Sequence, residues 1–301
     1  MTYSLLIATI FSLLLSGGAG GCRTSQAKSQ NNNSSDSKKE EERPVTDDKT
    51  AKDLKVVAEG FHSAIETPFI AVIRDAATYV ELGKLDHSLP KVDTDFKTNI
   101  LIAAFLGERN TGGYSVEISR AEHGEIQIHE KKPGKDVMVP QMITSPFKVV
   151  SLAASPATPV RIEFDSAWAS SMNSYTITKG TFAVSGGFAG RRDEFELAGG
   201  VGLMKQGRLV SFRFTLRKKG ESEKAVLADF ATGTIASGEI KIAVLSVGDL
   251  IPPPTNGLGV TGKLDKHDQN LLLALMSLPT MIADGYNGGG TIEAVKVIPT
   301  D

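Results

Sequence analysis

The chain has 301 residues, with 33 Lys and Arg against 35 Asp and Glu, 41% hydrophobic residues, 30 glycines and one cysteine. That length accommodates one or two domains, each large enough to bury its own core. A formal charge of -2 supplies no basic footprint for a nucleic-acid backbone, and a lone thiol excludes both an intramolecular disulfide and a multi-thiolate metal site.

Residues 1–21 carry no charged side chain, and Leu5 to Leu15 form an apolar stretch of eleven residues ahead of the small-residue run Ser16-Gly17-Gly18-Ala19-Gly20-Gly21. The stretch is too short to span a bilayer, which takes about 20 apolar residues, and has the layout of a secretory signal. Cys22 closes the run, and the segment resembles a bacterial lipoprotein lipobox. The resemblance implies cleavage before Cys22 and its lipidation, so that the bilayer is held through Cys22 and the protein works as a lipoprotein of the cell envelope, facing the periplasm or exterior. Residues 23–53 lack aromatics, Leu, Ile and Met and balance seven basic against seven acidic residues. Such a segment cannot bury enough apolar surface to offset its ordering entropy. We read 22–53 as a lipidated cysteine and disordered linker, whose coil would span about 30 Å.

From residue 54 the composition changes. Ala71 to Leu82 has helical spacing of Val72, Ile73, Ala76, Ala77 and Val80, and Ile100 to Leu106 reads as a strand covered on both faces. Tyr114, Val116 and Ile118, then Ile126 and Ile128, alternate with polar residues as half-exposed antiparallel strands, and Phe147 to Leu152 follows Pro146 as another strand. The segment Gly107-Glu108-Arg109-Asn110-Thr111-Gly112-Gly113-Tyr114-Ser115-Val116 and, about 25 residues later, Val139-Pro140-Gln141-Met142-Ile143-Thr144-Ser145-Pro146-Phe147 together resemble the PrcB C-terminal domain family. The likeness spans roughly 61–152. It implies a small extracytoplasmic module that binds and steadies other proteins, with Asn110 and Phe147 departing from the family's expected Pro and Tyr. Thr111, Gly112, Gly113 and Tyr114 read in two ways. They shape a turn, with glycines free to take positive φ and the Thr111 hydroxyl bonding the turn; or they let a partner backbone approach, with Tyr114 as a contact.

Residues 155–301 show further period-two runs, clearest in Val210, Phe212, Phe214 and Leu216 against Ser211, Arg213, Thr215 and Arg217. Lys205-Gln206-Gly207 reads as a hairpin turn, Arg191-Arg192 as a charged turn, Trp168 as core, and Ile292 to Ile298 as a strand. Asp265, with Leu271, Leu275 and Leu278 ahead of Pro279, has the signature of a capped helix. The predicted fold is thus α+β and mainly antiparallel β: a PrcB-like small α+β domain at 54–154, then a second β-rich sandwich or partly open barrel with one helix at 155–301.

A search for chemistry finds broken patterns. His129-Glu130-Lys131-Lys132-Pro133 begins like a zinc-protease helix but has proline where the second histidine belongs. Gly257-Leu258-Gly259-Val260-Thr261-Gly262 has dinucleotide spacing but follows Pro252-Pro253-Pro254 instead of a strand, so it reads as a loop. Asp284-Gly285-Tyr286-Asn287 lacks the further oxygen ligands of a calcium loop. We therefore expect no catalytic residues, metal or cofactor, and a lipid-anchored accessory module that binds an envelope or secreted protein, a protease complex being one candidate. The alternatives are a small-ligand-binding envelope lipoprotein whose second unit is an open barrel, and an envelope hydrolase.

Overall fold

A computed structural model describes residues 54–155, 158, 160–186, 191–221, 227–245, 258–277 and 285–298. The expected leader, Cys22 and spacer lie outside the described residues.

The first layer is a four-stranded antiparallel sheet in the order β1-β6-β3-β2, from β1 (Leu54–Gly60), β2 (Phe69–Ile73), β3 (Asn99–Phe105) and β6 (Phe147–Ala153). β2 is buried throughout and β3 from Ile100 onward, as the unbroken apolar runs require. The helix α1 (Ala76–Leu85) starts later than the periodicity predicts. Ala71 to Ile73 complete β2, and the Asp75 carboxylate caps the helix by accepting the Thr78 N–H at 2.8 Å. A second sheet, β4 (Ser115–Arg120), β5 (Ile126–Lys131) and the short parallel β7 (Ile162–Phe164), contributes Val116, Ile118, Ile126, Ile128 and Ile162 to the same core. After β7, the four-residue α2 (Ser166–Ala169) buries Trp168, whose Nε1–H donates to the Phe105 carbonyl at 2.8 Å.

The remaining strands, β8 (Asn173–Gly186), β9 (Arg191–Gln206), β10 (Leu209–Lys218), β11 (Leu227–Ala236), β12 (Glu239–Leu245), β13 (Leu258–Leu264), β14 (Asn270–Ser277) and β15 (Tyr286–Lys296), form an antiparallel meander that closes when β15 pairs with β8. The closed barrel replaces the expected sandwich or partly open barrel. An eight-stranded barrel has an interior just wide enough to be filled by side chains, and Phe182, Phe212, Phe214, Leu216, Leu258 and Leu273 are among those that fill it. Gly290 faces Phe182 and Leu275 across the ladders, and a Cβ there would be driven into the Thr181 carbonyl of β8, so closure needs glycine at this point.

Three other expectations are corrected. Residues 265–277 are a turn and a strand, not a helix. Leu271, Leu273 and Leu275 are buried while Leu272 and Met276 are exposed, a period of two that the leucine-rich run also satisfies, and the ladders to β13 and β15 select it. Asp265 does cap, but it caps a hairpin: its carboxylate accepts from the N–H groups of His267, Gln269 and Asn270 and from the Asn270 amide. That amide, then the Gln269 N–H, hold its carboxyl below the usual carboxylate range. The span from Leu258 to Gly262 belongs to β13, not to a loop, and Arg191-Arg192 opens β9 instead of making a turn.

The outer surface of the barrel at β9–β11 packs on the first layer, giving Met204, Leu209 and Phe230 to its core. A buried polar seam accompanies this contact. Thr232 Oγ1 accepts the Val72 N–H at 2.9 Å and lies 3.1 Å from Ser211 Oγ. Asp229 Oδ1 accepts the N–H groups of Val160 and Phe230, each at 2.9 Å, and stands 3.7 Å from Arg74 Nη2. The Arg74 Nη1 donates to the Thr158 carbonyl at 2.7 Å. Burial lowers the Arg74 pKa, and the Asp229 carboxylate opposes that shift.

Candidate protein-docking surface

The residues singled out by sequence, Thr111 to Tyr114, lie between β3 and β4 and are locked to the segment before β6. Arg109 and Thr144 exchange backbone hydrogen bonds of 2.7 and 2.9 Å, and the Gly112 N–H donates to the Pro140 carbonyl at 2.9 Å. It is the Thr111 carbonyl, not its hydroxyl, that does bonding work, accepting from Thr144 Oγ1 at 3.0 Å. Only the second glycine takes positive φ: Gly113 stands at +84°, where an added Cβ would come within 2.8 Å of Val139 and 2.9 Å of Pro133. Tyr114 is half-buried against the core, with the Arg109 guanidinium 5.8 Å from its ring centre. The four residues are therefore a floor, and what they support is the loop 133–143.

That loop carries the most exposed large apolar side chain among the described residues. Met138 is 98% exposed, and Val137, Met142, Ile143 and the neighbouring Phe61 range from 46% to 62%. Phe61 joins them because its carbonyl accepts the Ser145 N–H at 2.7 Å. Scattered exposed apolar side chains are ordinary, whereas several gathered within one short, hydrogen-bonded loop make it a candidate interaction surface. Its rim is charged: Glu130 bridges Arg109 (2.8 Å) and Lys132 (3.4 Å), with Lys131, Lys135 and Asp136 exposed nearby. Sequence periodicity passed over these residues because they form no strand or helix. The readable signal was an apolar cluster, Val137-Met138-Val139 and Met142-Ile143, inside a segment bounded and broken by Pro133, Gly134, Pro140 and Pro146.

Beside the rim, His129 Nδ1 lies 3.0 Å from Asp165 Oδ1, whose other oxygen accepts the Glu130 N–H at 2.8 Å. Burial raises the Asp165 pKa, but the Glu130 N–H and the His129 ring outweigh this and hold the carboxyl below its ordinary range. Among the described residues the imidazole bonds Asp165 alone, and no group of three or more His, Cys, Asp or Glu is placed to hold a metal ion. A groove of about 570 Å³ lies outside the barrel, lined by residues such as Thr234, Lys241, Thr261, Leu272 and Ala274 of β11–β14.

Comparison with known proteins bears out the family resemblance. Residues 100–153, from β3 through the exposed loop to β6, match the model of the PrcB C-terminal family. No curated protein matches the chain. Among solved structures, a variant of the vaccine antigen transferrin binding protein B from Haemophilus parasuis Hp5 aligns over 64% of this chain and 39% of its own, at 9% identity and a TM-score of 0.30. The chain thus spans well under half of that structure's length.

Proposed function

We propose that this chain is a lipid-anchored, extracytoplasmic accessory module, without catalysis of its own, that docks an envelope or secreted protein through the loop 133–143. The observation that carries the reading is the exposed set Val137, Met138, Met142 and Ile143, on a hydrogen-bonded floor inside the family-matching segment, with exposed Phe61 bonded to its edge through Ser145. The family's name makes a component of a protease complex the first partner to look for. Anchorage through Cys22 fits the strand register. The chain enters β1 at Leu54, paired with Leu152, whereas Phe61 follows Gly60, paired with Phe147, at the far end. Seven residues at 3.3 Å each separate tether from patch by about 20 Å. A ligand carrier would need an empty lumen, and the packed aromatic and leucine interior of the barrel argues against one.

The test is photo-crosslinking in the native host, with a benzophenone amino acid at Met138 or Ile143 and, as a control, at Glu239 on the barrel exterior. One specific protein should attach at the loop positions and not at the control. Adducts that are equal at all three positions, or absent, refute the docking surface. Labelled palmitate should enter the wild type and not a Cys22→Ala variant; equal uptake refutes the anchor.

A further inference from the structure

Every open β-sheet has two edges whose backbone groups can pair with another chain, and folded proteins blunt them with bulges, charges, short strands or covering elements. The barrel, being closed, has none. In the first sheet, β1 carries a bulge between Val56 and Ala58 and an exposed Lys55, and β2 gives its Val72 N–H to Thr232 beneath the barrel. In the second sheet, β7 has three residues, and Val160 just before it is bonded to both Asp229 and Phe230 of β11. The fourth edge, β4, has six residues in unbroken register, with no bulge or proline, and its charges are Glu117 and, at the end of the strand, Arg120.

The hydrogen-bond parity of β4 follows from its neighbour. The Ile126 N–H donates to the Arg161 carbonyl (2.9 Å) and the Ile128 carbonyl accepts the Asp165 N–H (3.3 Å), so even-numbered residues of β5 turn their backbone toward β7. Odd-numbered residues therefore face β4 and, through the pairs Lys131–Ser115, His129–Glu117 and Gln127–Ser119, engage its odd-numbered residues. Val116 and Ile118 are left directing N–H and C=O off the free edge while their side chains stay in the core, and no described residue bonds those groups. β4 also begins at Ser115, directly after Tyr114 and the floor of the exposed loop.

We propose that β4 is a strand-acceptor site: an extended segment of the partner adds to it as a fourth strand, pairing with Val116 and Ile118, and its end reaches the apolar loop. The proposal rests on the docking function above and names the form of the partner. Water can hydrate these groups in the free protein, and the protein element that replaces it at two residues one pleat apart is an extended backbone, whose N–H and C=O groups repeat at the same spacing. β4 packs over β6, and β1 is the next strand outward, so an added strand would lie above β1, where Val56 is exposed. The fitting segment alternates β-branched or other apolar residues on its inner face with polar ones outside, including a basic residue across from the exposed Glu117.

The probe is a set of peptides selected by phage panning against the full chain in detergent, then resynthesised with single N-methyl groups. Enriched peptides should alternate apolar and polar residues. N-methylation at every second residue should weaken binding about tenfold or more, with little effect at the intervening ones, and amide exchange at Val116 and Ile118 should slow on binding. No enrichment over scrambled sequences, indifference to N-methyl parity, or protection elsewhere overturns the proposal. Crosslinks at Met138 without the parity pattern would leave the docking surface standing with a folded partner on the loop and remove strand addition. The parity pattern without crosslinks would do the reverse.

Discussion

Replacement of Asp229 tests whether the polar seam joins barrel and first layer into one cooperative unit. Its Oδ1 accepts two backbone N–H groups at 2.9 Å, and Arg74 Nη2 stands 3.7 Å away, too far for a hydrogen bond, so that contact is an attraction between charges. The two side chains are 0% and 4% exposed. Asp229→Ala takes the carboxylate from beside the buried Arg74 guanidinium, which keeps its Thr158 bond, and removes the acceptor of two buried amides; removing one member of a buried pair costs about 3–5 kcal/mol. Asp229→Asn keeps a carbonyl for Val160 and Phe230 while removing the charge and turning the second oxygen into an NH2 donor, so it should cost less by the roughly 1–3 kcal/mol of a stranded donor. Urea unfolding can be followed by fluorescence of Trp168, the only tryptophan, which reports the first core, and by far-ultraviolet circular dichroism, which reports both layers. With a slope near 3 kcal/mol per molar, the Ala midpoint should fall by about 1 M or more in both signals together. A loss below about 1 kcal/mol, or a shift in dichroism that Trp168 does not share, would refute the idea that the seam couples the two layers.

Further outcomes follow from the same structure. Gly290→Ala should cost several kcal/mol, about 3 or more, by driving a Cβ into β8, whereas Gly83→Ala in α1, where an added Cβ meets nothing within 4 Å, should stabilise by up to about 1 kcal/mol; thermal melts of the pair decide. Burial, then the Asp268 and Asp265 carboxylates, push the Tyr175 phenol up to about 12, while an unfolded tyrosine titrates near 10. The neutral phenol is thus favoured in the fold. Its stabilisation is complete below about pH 10 and is lost as pH rises through about 12, so urea midpoints should fall across that window in wild type and less steeply in Tyr175→Phe. Paired Met138→Asp and Ile143→Asp substitutions should change stability by no more than about 0.5 kcal/mol while abolishing partner crosslinking; a large stability loss would assign the loop to packing instead.

Strands announced themselves where burial is uniform or strictly alternating. Ile100 to Leu106 and Val210 to Leu216 could be read because each pattern has one solution, and Trp168 because a lone large aromatic between small residues has few places to go except the core. Leu271 to Leu275 could not, since a run of leucines satisfies both helical and strand periods and Asp265 offers the same carboxylate to a helix or a hairpin. Barrel closure was hidden for a different reason: it depends on β15 meeting β8, more than a hundred residues away, and no local period encodes that. The exposed apolar loop escaped because exposure is a tertiary property. The glycines beneath it were conspicuous in sequence, but the apolar side chains they lift into solvent were not.

The barrel is filled with side chains and its ring of strands has no open edge, yet it decides what the smaller layer can do. By burying β2 under β9–β11 and taking the Val72 N–H onto Thr232, it closes one edge, and by bonding Val160 from Asp229 and Phe230 it occupies the chain leading into β7. Without that cover the two sheets would offer two more edges for chance pairing, a known route to aggregation. With it, the edges left are β1, which carries a bulge between Val56 and Ala58, and the regular β4, which begins directly after the floor of the exposed loop. An edgeless body packed on β2 and bonded to the chain before β7 closes two of the four edges, and of the two that remain only β4 pairs in unbroken register.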